Sequence, residues 1–350
     1  MNLPKSLWWA WAGGTYITTN TSNAASANNL LNVHLLTLLR TLPEKLSEVN
    51  PVAVIGSTGM LGRHLCRELR VRGYTVTAFV RNPHQAKLPD VSHILPMRFD
   101  VPTAFKALNR AKAVINVAGA PIIGKRLTPA YLQTVRDSRI GLTRRLVRAL
   151  GDLPEPPLLI NASATGFYGT HELSDIAVDE TSPSPRGEFW ADLTREWEEA
   201  AYANARVRAA CIRTGIVLGP EPGGTLAKLA LPFRMFVGGP LGLSHAWRSW
   251  IHIDDEIGIF LHALEHTLSG PLNATAPLPL QNADFAAALG HHLHRPNWCT
   301  TPEWPVKLLF GEAGEVITRG RKILPTVTMA SGYTFKYPDL ATALEDLLPD

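Results

Sequence analysis

The segment Gly56-Ser57-Thr58-Gly59-Met60-Leu61-Gly62 constrains the fold more than any other part of the chain. It spaces glycines as G-x-x-G-x-x-G between a short apolar run, Val52 to Ile55, and a stretch from Leu61 to Arg72 whose apolar residues recur at helical spacing. Gly73 closes that helix, and a β-rich run, Thr75 to Val80, follows. Strand, glycine turn, helix and strand make a βαβ unit in which each glycine has a mechanical task. Gly56 permits the tight turn, Gly59 lets a pyrophosphate approach the backbone, and Gly62 lets helix and strand pack closely. The free N–H groups and positive dipole end of the helix face the same anion, so Ser57, Thr58, Met60 and Leu61 join the candidate site.

The end of the second strand selects between two dinucleotides. A site for NAD usually places an Asp or Glu there, on the ribose 2′-hydroxyl, whereas here Val80 is followed by Arg81. A guanidinium at that point suits the 2′-phosphate of NADP(H); the plain alternative is a solvated arginine at a strand end.

Further strand signals at Ala113 to Val117, Pro157 to Ala162 and Val207 to Leu218 alternate with helical stretches at Pro129 to Leu150 and Gly187 to Asn204. This order predicts an α/β fold, a doubly wound parallel Rossmann sheet. A passage rich in Pro and Trp, Arg295 to Pro305, sets off a smaller C-terminal α/β module that ends in an amphipathic helix, Leu340 to Leu348. The expected organisation is an N-terminal extension over 1–50, an NADP-binding domain over 51–295 and the small module over 296–350. The extension carries Trp8, Trp9 and Trp11 and an apolar run, Leu30 to Leu39, too short to span a bilayer. It reads as a weakly ordered arm or a transit peptide, which leaves organellar import open beside a cytoplasmic location.

Composition narrows the partners. A chain that is 45% hydrophobic and 18% charged is that of a globular protein, not a disordered or polytopic one. The net charge of +4 comes from scattered Lys and Arg, so no nucleic-acid stripe is expected. Cys66, Cys211 and Cys299 lack any CxxC spacing and read as buried thiols. His291, His292 and His294 lack a carboxylate at metal-ligand spacing, and no metal is expected. Asp254 and Asp255 are expected to cap a helix starting at Glu256, His252 to serve as an acid or a structural hydrogen-bonding residue, and Glu196, Glu198 and Glu199 to form a solvated acidic surface.

Val114-Ile115-Asn116-Val117-Ala118-Gly119 and Ser163-Ala164-Thr165-Gly166-Phe167-Tyr168-Gly169 resemble the strand-four and strand-five motifs of the short-chain dehydrogenase/reductase superfamily. Arg213 to Gly219 and Trp250 to Asp255 resemble later landmarks of its extended and atypical branch. Gly119-Ala120-Pro121-Ile122 with Lys125-Arg126, Ser138-Arg139-Ile140, Gly238 to Gly242 and Asn273 to Pro277 are similar to an epimerase-like family of unassigned substrate, and Pro302 to Leu348 to its short C-terminal domain. The resemblance implies NADP(H) as cofactor, with Asn116, Ala118 and Gly119 beside it, and a small hydroxylated substrate such as a nucleotide sugar. Extended relatives dimerise through a helical bundle, so a homodimer stays open.

The same resemblance exposes a departure. The Tyr and Lys that move protons in active members fall on Phe189 and Leu193, which cannot do so, and Ala164 takes the place of the catalytic Ser with Ser163 one residue early. If chemistry occurs, Tyr168 is the expected proton donor with Ser163 beside it, its pKa lowered by Lys125 or Arg126. Two functions follow: an NADP(H)-dependent oxidoreductase or epimerase, or a non-catalytic NADP(H)-binding redox sensor or regulatory protein.

Overall fold

The computed structural model describes residues 50–122, 125, 127–171, 174–304 and 318–349; residues 1–49 of the N-terminal extension, with Leu30 to Leu39, and Arg126 lie outside them. Seven parallel strands form the main sheet: β1 (Pro51–Ile55), β2 (Thr75–Val80), β3 (His93–Pro96), β4 (Ala113–Asn116), β5 (Leu158–Ala164), β6 (Ala209–Thr214) and β10 (Gly270–Ala274). Their order is β10-β6-β5-β4-β1-β2-β3, so the chain winds outward in one direction from β1 and then crosses back through β4 to wind in the other. The reversal between β1 and β4 opens a crevice at the carboxyl ends of the strands, where such sheets bind ligands.

Alternation along the strands explains why helices cover both faces. Val52, Val54, Ile115, Ile160 and Ile212 point to one side, into a cluster with Leu65 and Leu69 of α1 (Met60–Val71) and Ile257, Phe260 and Leu264 of a later helix, Ile253–Glu265. Ala53, Ile55, Val114, Leu159 and Cys211 point to the other, against Ala104 and Leu108 of α2 (Pro102–Arg110) and Leu146, Val147 and Leu150 of the helix Leu142–Gly151. Near-continuous apolar strands of this kind are what a sheet buried on both faces requires.

Two segments expected to be continuous are broken. The stretch Pro129 to Leu150 folds as α3 (Pro129–Arg136) and α4 (Leu142–Gly151) joined by a π-turn, Asp137–Gly141. The stretch Val207 to Leu218 divides at Gly215: β6 stays in the main sheet, while β7 (Ile216–Leu218) pairs in parallel with β9 (Trp250–His252) in a separate ribbon, and β8 (Trp247–Arg248) pairs antiparallel with β11 (Leu280–Gln281) in another. A Cβ on Gly215 would come 2.5 Å from the Ser249 carbonyl oxygen, so only glycine lets the chain cross there. The helix expected over Gly187 to Asn204 is α5 (Phe189–Ala201), and α6 (Thr225–Arg234) follows β7.

The C-terminal residues are keyed into the sheet. The helix α7 (Ile253–Glu265) starts three residues before the expected Glu256, and its cap is His252, whose Nδ1 accepts from Asp254 N at 3.0 Å. Asp255 caps nothing. Its carboxylate accepts from Tyr333 Oη at 2.9 Å, Lys336 N at 2.8 Å and Tyr337 N at 2.8 Å, and so clamps a turn of the last segment onto α7. His252 stacks on Tyr337 at 3.7 Å and meets Asp346 at 3.1 Å; burial pulls its pKa down against the pull of Asp254 and Asp346. His292, at the end of α8 (Asn282–His292), meets the Leu348 carbonyl at 2.8 Å. Residues 48–350 accordingly make one compact unit. The last helices, α9 (Thr326–Ala330) and α10 (Leu340–Leu347), belong to it. Cys66 and Cys211 are buried thiols, whereas Cys299 is half-exposed.

Candidate functional site

The glycine turn sits where β1 ends and α1 begins. Gly56 has φ +91°, and a Cβ on it would lie 2.7 Å from Ala118 N of the loop after β4. A Cβ on Gly62 would collide with the Gly56 carbonyl. Packing within the protein thus explains both glycines. Gly59 is different: it is exposed, its φ of −76° suits any residue, and an added Cβ would meet only Gly56 O at 3.4 Å. Among the described residues nothing in the packing requires glycine there.

Two further observations describe what the turn offers chemically. Ser57 Oγ is fully buried and, among the described residues, has no hydrogen-bond partner, a costly state that an added acceptor such as a phosphate oxygen would relieve. Gly59 is the N-cap of α1, whose first turn carries no acid to occupy the free N–H groups. Thr58 is exposed, Met60 and Leu61 are half-buried, and Arg81 is exposed just past the end of β2. Asn116 is buried: its Nδ2 donates to Asn161 Oδ1 at 2.7 Å and its Oδ1 accepts from Ala118 N at 3.3 Å, so it shapes the β4 turn from behind.

The strand-five residues form a buried network. Ser163 Oγ donates to Glu198 Oε1 at 2.6 Å. Arg213 grips the same carboxylate through Nε and Nη2, both at 2.9 Å, and donates from Nη1 to Tyr168 Oη at 2.8 Å. Tyr168 in turn donates to Asn273 Oδ1 at 2.7 Å. Glu180 completes the set, accepting from Asn273 N at 2.9 Å and from Val327 N and Thr328 N at the start of α9. Ser163, Arg213 and Asn273 occupy one register row of β5, β6 and β10, which is why their side chains meet on one face.

This arrangement corrects two expectations. The cation beside Tyr168 is Arg213, not Lys125, which is exposed on the β4 loop. Its effect is outweighed: burial pushes the phenol up to about 12, against the Arg213 charge and hydrogen bond. Glu198 is not part of a solvated acidic surface but is buried in its ion pair. For Arg213, burial pulls the pKa down and Glu198 and then Tyr168 push it back above its ordinary value. Phe189 and Leu193 lie on α5 with Phe189 edge-on to Trp190, and Leu193 is buried in the core.

On the opposite face, Glu256 is fully buried on α7, with Thr214 Oγ1 donating to its Oε1 at 2.7 Å and Oε2 without a partner among the described residues. Burial pushes this carboxyl up to about 8 against the Thr214 bond. The unfolded chain loses that proton at ordinary carboxylate pH while the folded chain holds it, so stability falls as pH rises from about 4.5 to about 8. Glu256→Gln is expected to remove that slope, on the order of 3–5 kcal/mol across the window. Urea denaturation at pH 5 and pH 8 reads it; equal slopes in wild type and variant would refute it.

Among the described residues, no group of three or more His, Cys, Asp or Glu is placed to hold a metal ion, and no helix is long and apolar enough to cross a membrane.

Comparison with known proteins agrees with this geometry. Residues 52–274 match the model of the NAD dependent epimerase/dehydratase family, and residues 301–347 match a domain of unknown function, DUF1731. The chain is 36% identical over 310 residues to the chloroplastic "Epimerase family protein SDR39U1 homolog" of Arabidopsis thaliana, covering 85% of this chain and 86% of that protein. It is 34% identical to "Epimerase family protein SDR39U1" of Bos taurus, covering 85% and 99%. The crystal structure of human epimerase family protein SDR39U1 with NADPH superposes with a TM-score of 0.74 at 32% identity, covering 85% of this chain and 98% of that one. A doubly wound sheet with a glycine turn at its reversal, a matching family model over most of the chain and full-length relatives above 30% identity place the protein in the NAD dependent epimerase/dehydratase family, with a DUF1731 domain at residues 301–347.

Proposed function

We propose that the protein binds NADP(H) in the crevice between β1 and β4 and works as an NADP(H)-dependent oxidoreductase or epimerase on a small hydroxylated substrate, with a nucleotide sugar as the leading class. The observation that carries this reading is the pairing of an unpartnered buried Ser57 hydroxyl with a Gly59 that the protein's own packing does not require. The related human protein was crystallised with NADPH, which supports the choice of nucleotide. When bound, the nicotinamide supplies or accepts a hydride.

In this reading Gly56, Ser57, Thr58, Gly59, Met60, Leu61 and Gly62 hold the diphosphate, Arg81 meets the 2′-phosphate, and Ala118 and Gly119 line the next stretch of the crevice with Asn116 behind them. Tyr168 and Ser163 hold its floor through Arg213 and Glu198, and Lys125 stands at its exposed rim. A phenol whose proton already rests on Asn273 is poorly placed to give it up. That favours a second reading, a cofactor-binding sensor, which Phe189 and Leu193 also support.

The experiment is a tryptophan-fluorescence titration with NADPH and NADH. Arg81→Ala is expected to weaken NADPH about tenfold or more, the loss of a charge-assisted contact, and to leave NADH unchanged. An equal loss of both nucleotides, or no loss, removes Arg81 from the 2′-phosphate; no binding of either refutes the reading. Oxidation of bound NADPH on adding candidate sugar nucleotides separates enzyme from sensor.

A further inference from the structure

Arg139 stands on the π-turn Asp137–Gly141, where the widened helix turns two side chains toward the loop after β4. Ser138 Oγ accepts from Ala120 N at 2.9 Å, and Arg139 Nη1 donates to Ala120 O at 3.0 Å. The guanidinium lies over the Trp197 ring, 5.3 Å from its centroid. It also lies close to Gly119: a Cβ there would fall 3.0–3.2 Å from the guanidinium atoms. Among the described residues no carboxylate pairs with Arg139, and Nε and Nη2, the edge that forms a bidentate fork, have no acceptor. Burial without an anion pulls its pKa down to about 10, against a nearby Tyr131.

Position decides which anion it meets. Along the carboxyl edge of the sheet the order is β2, β1, β4, β5. A dinucleotide with its 2′-phosphate at Arg81 and its diphosphate at the β1 turn runs on toward β4 and β5. Arg139 is therefore on the far side of the diphosphate from Arg81, toward the nicotinamide end of the crevice, where cofactor and substrate meet. We propose that Arg139 receives an anionic group of the substrate, a phosphate or a carboxylate, on the free Nε–Nη2 edge beside Gly119. This rests on the NADP(H) reading for its orientation, but its test does not.

The test titrates full-length wild type, Arg139→Lys and Arg139→Met with inorganic pyrophosphate and with glucuronate, each with and without saturating NADPH, after thermal unfolding has established that the variants fold. Pyrophosphate alone binding identifies a phosphate, glucuronate alone a carboxylate. The expected result is binding by wild type, about a tenfold loss in Arg139→Met with partial recovery in Arg139→Lys, and NADPH affinity unchanged in both variants. Three results overturn it: neither anion binds wild type, both variants bind the anions as wild type does, or Arg139→Met loses NADPH by the same factor, which assigns the guanidinium to the cofactor's diphosphate. A wild type that binds the anions through Arg139 but not NADPH refutes the cofactor reading alone and leaves the anion site standing. Where Arg139→Met does not fold, the wild-type titrations and Arg139→Lys carry the decision, since a point charge cannot reproduce the bidentate fork.

Discussion

Glu198→Ala is expected to lower folding stability by about 3–5 kcal/mol, because it leaves a buried cation uncompensated. The Arg213 and Glu198 side chains are only 4% and 6% exposed, so water cannot replace the lost carboxylate. Ser163 loses its acceptor in the same change. The size of the effect belongs to the orphaned charge, so the double variant Glu198→Ala with Arg213→Met is expected to recover a large part of it. Urea denaturation of the single and double variants measures both quantities. A single variant within about 1 kcal/mol of wild type would mean that the pair is solvated and worth no more than a surface bridge.

The second large effect separates binding from folding. Gly59→Asp is expected to reduce NADPH affinity by about a hundredfold or more while leaving the thermal midpoint unchanged or slightly higher. Gly59 has φ −76° and ψ 173° at the N-cap of α1, a conformation open to Asp, and aspartate there accepts from the free N–H groups of the first turn. Its carboxylate then takes the place proposed for a phosphate oxygen and repels the rest of the diphosphate. Nucleotide titration beside a melting curve gives the answer. A melting point that falls in step with affinity would tie Gly59 to the fold, and unchanged affinity would remove the diphosphate from this turn.

The sheet was legible because burial on both faces leaves its mark on every strand. Thr75–Val80 was readable to the residue. Short elements with little period of their own were not: β3 has four half-buried residues, and β10 begins Gly-Pro. The helix break at Asp137–Gly141 was hidden because a π-turn shifts the register without interrupting the apolar pattern. The network around Arg213 was missed for another reason. Glu198 does share a buried stripe with Ala191, Thr194 and Ala201 on α5, and an arginine inside Ala209–Thr214 is out of place in a core strand. Each charge alone is a local oddity. Only the register of β5, β6 and β10 brings them into contact, and register is set by tertiary pairing.

The clamp that Asp255 and Glu180 place on the last segment bears on how such a protein can change over evolutionary time. The family model and the C-terminal module match separate stretches, 52–274 and 301–347, as though either could be gained or lost alone. Yet Asp255 satisfies itself on Tyr333, Lys336 and Tyr337, and Glu180 on Val327 and Thr328. A descendant that deleted the module would expose two carboxylates and Asn273 shaped for partners no longer there, and would have to replace all three together. In this protein those bonds tie the two stretches together, so that neither is satisfied without the other.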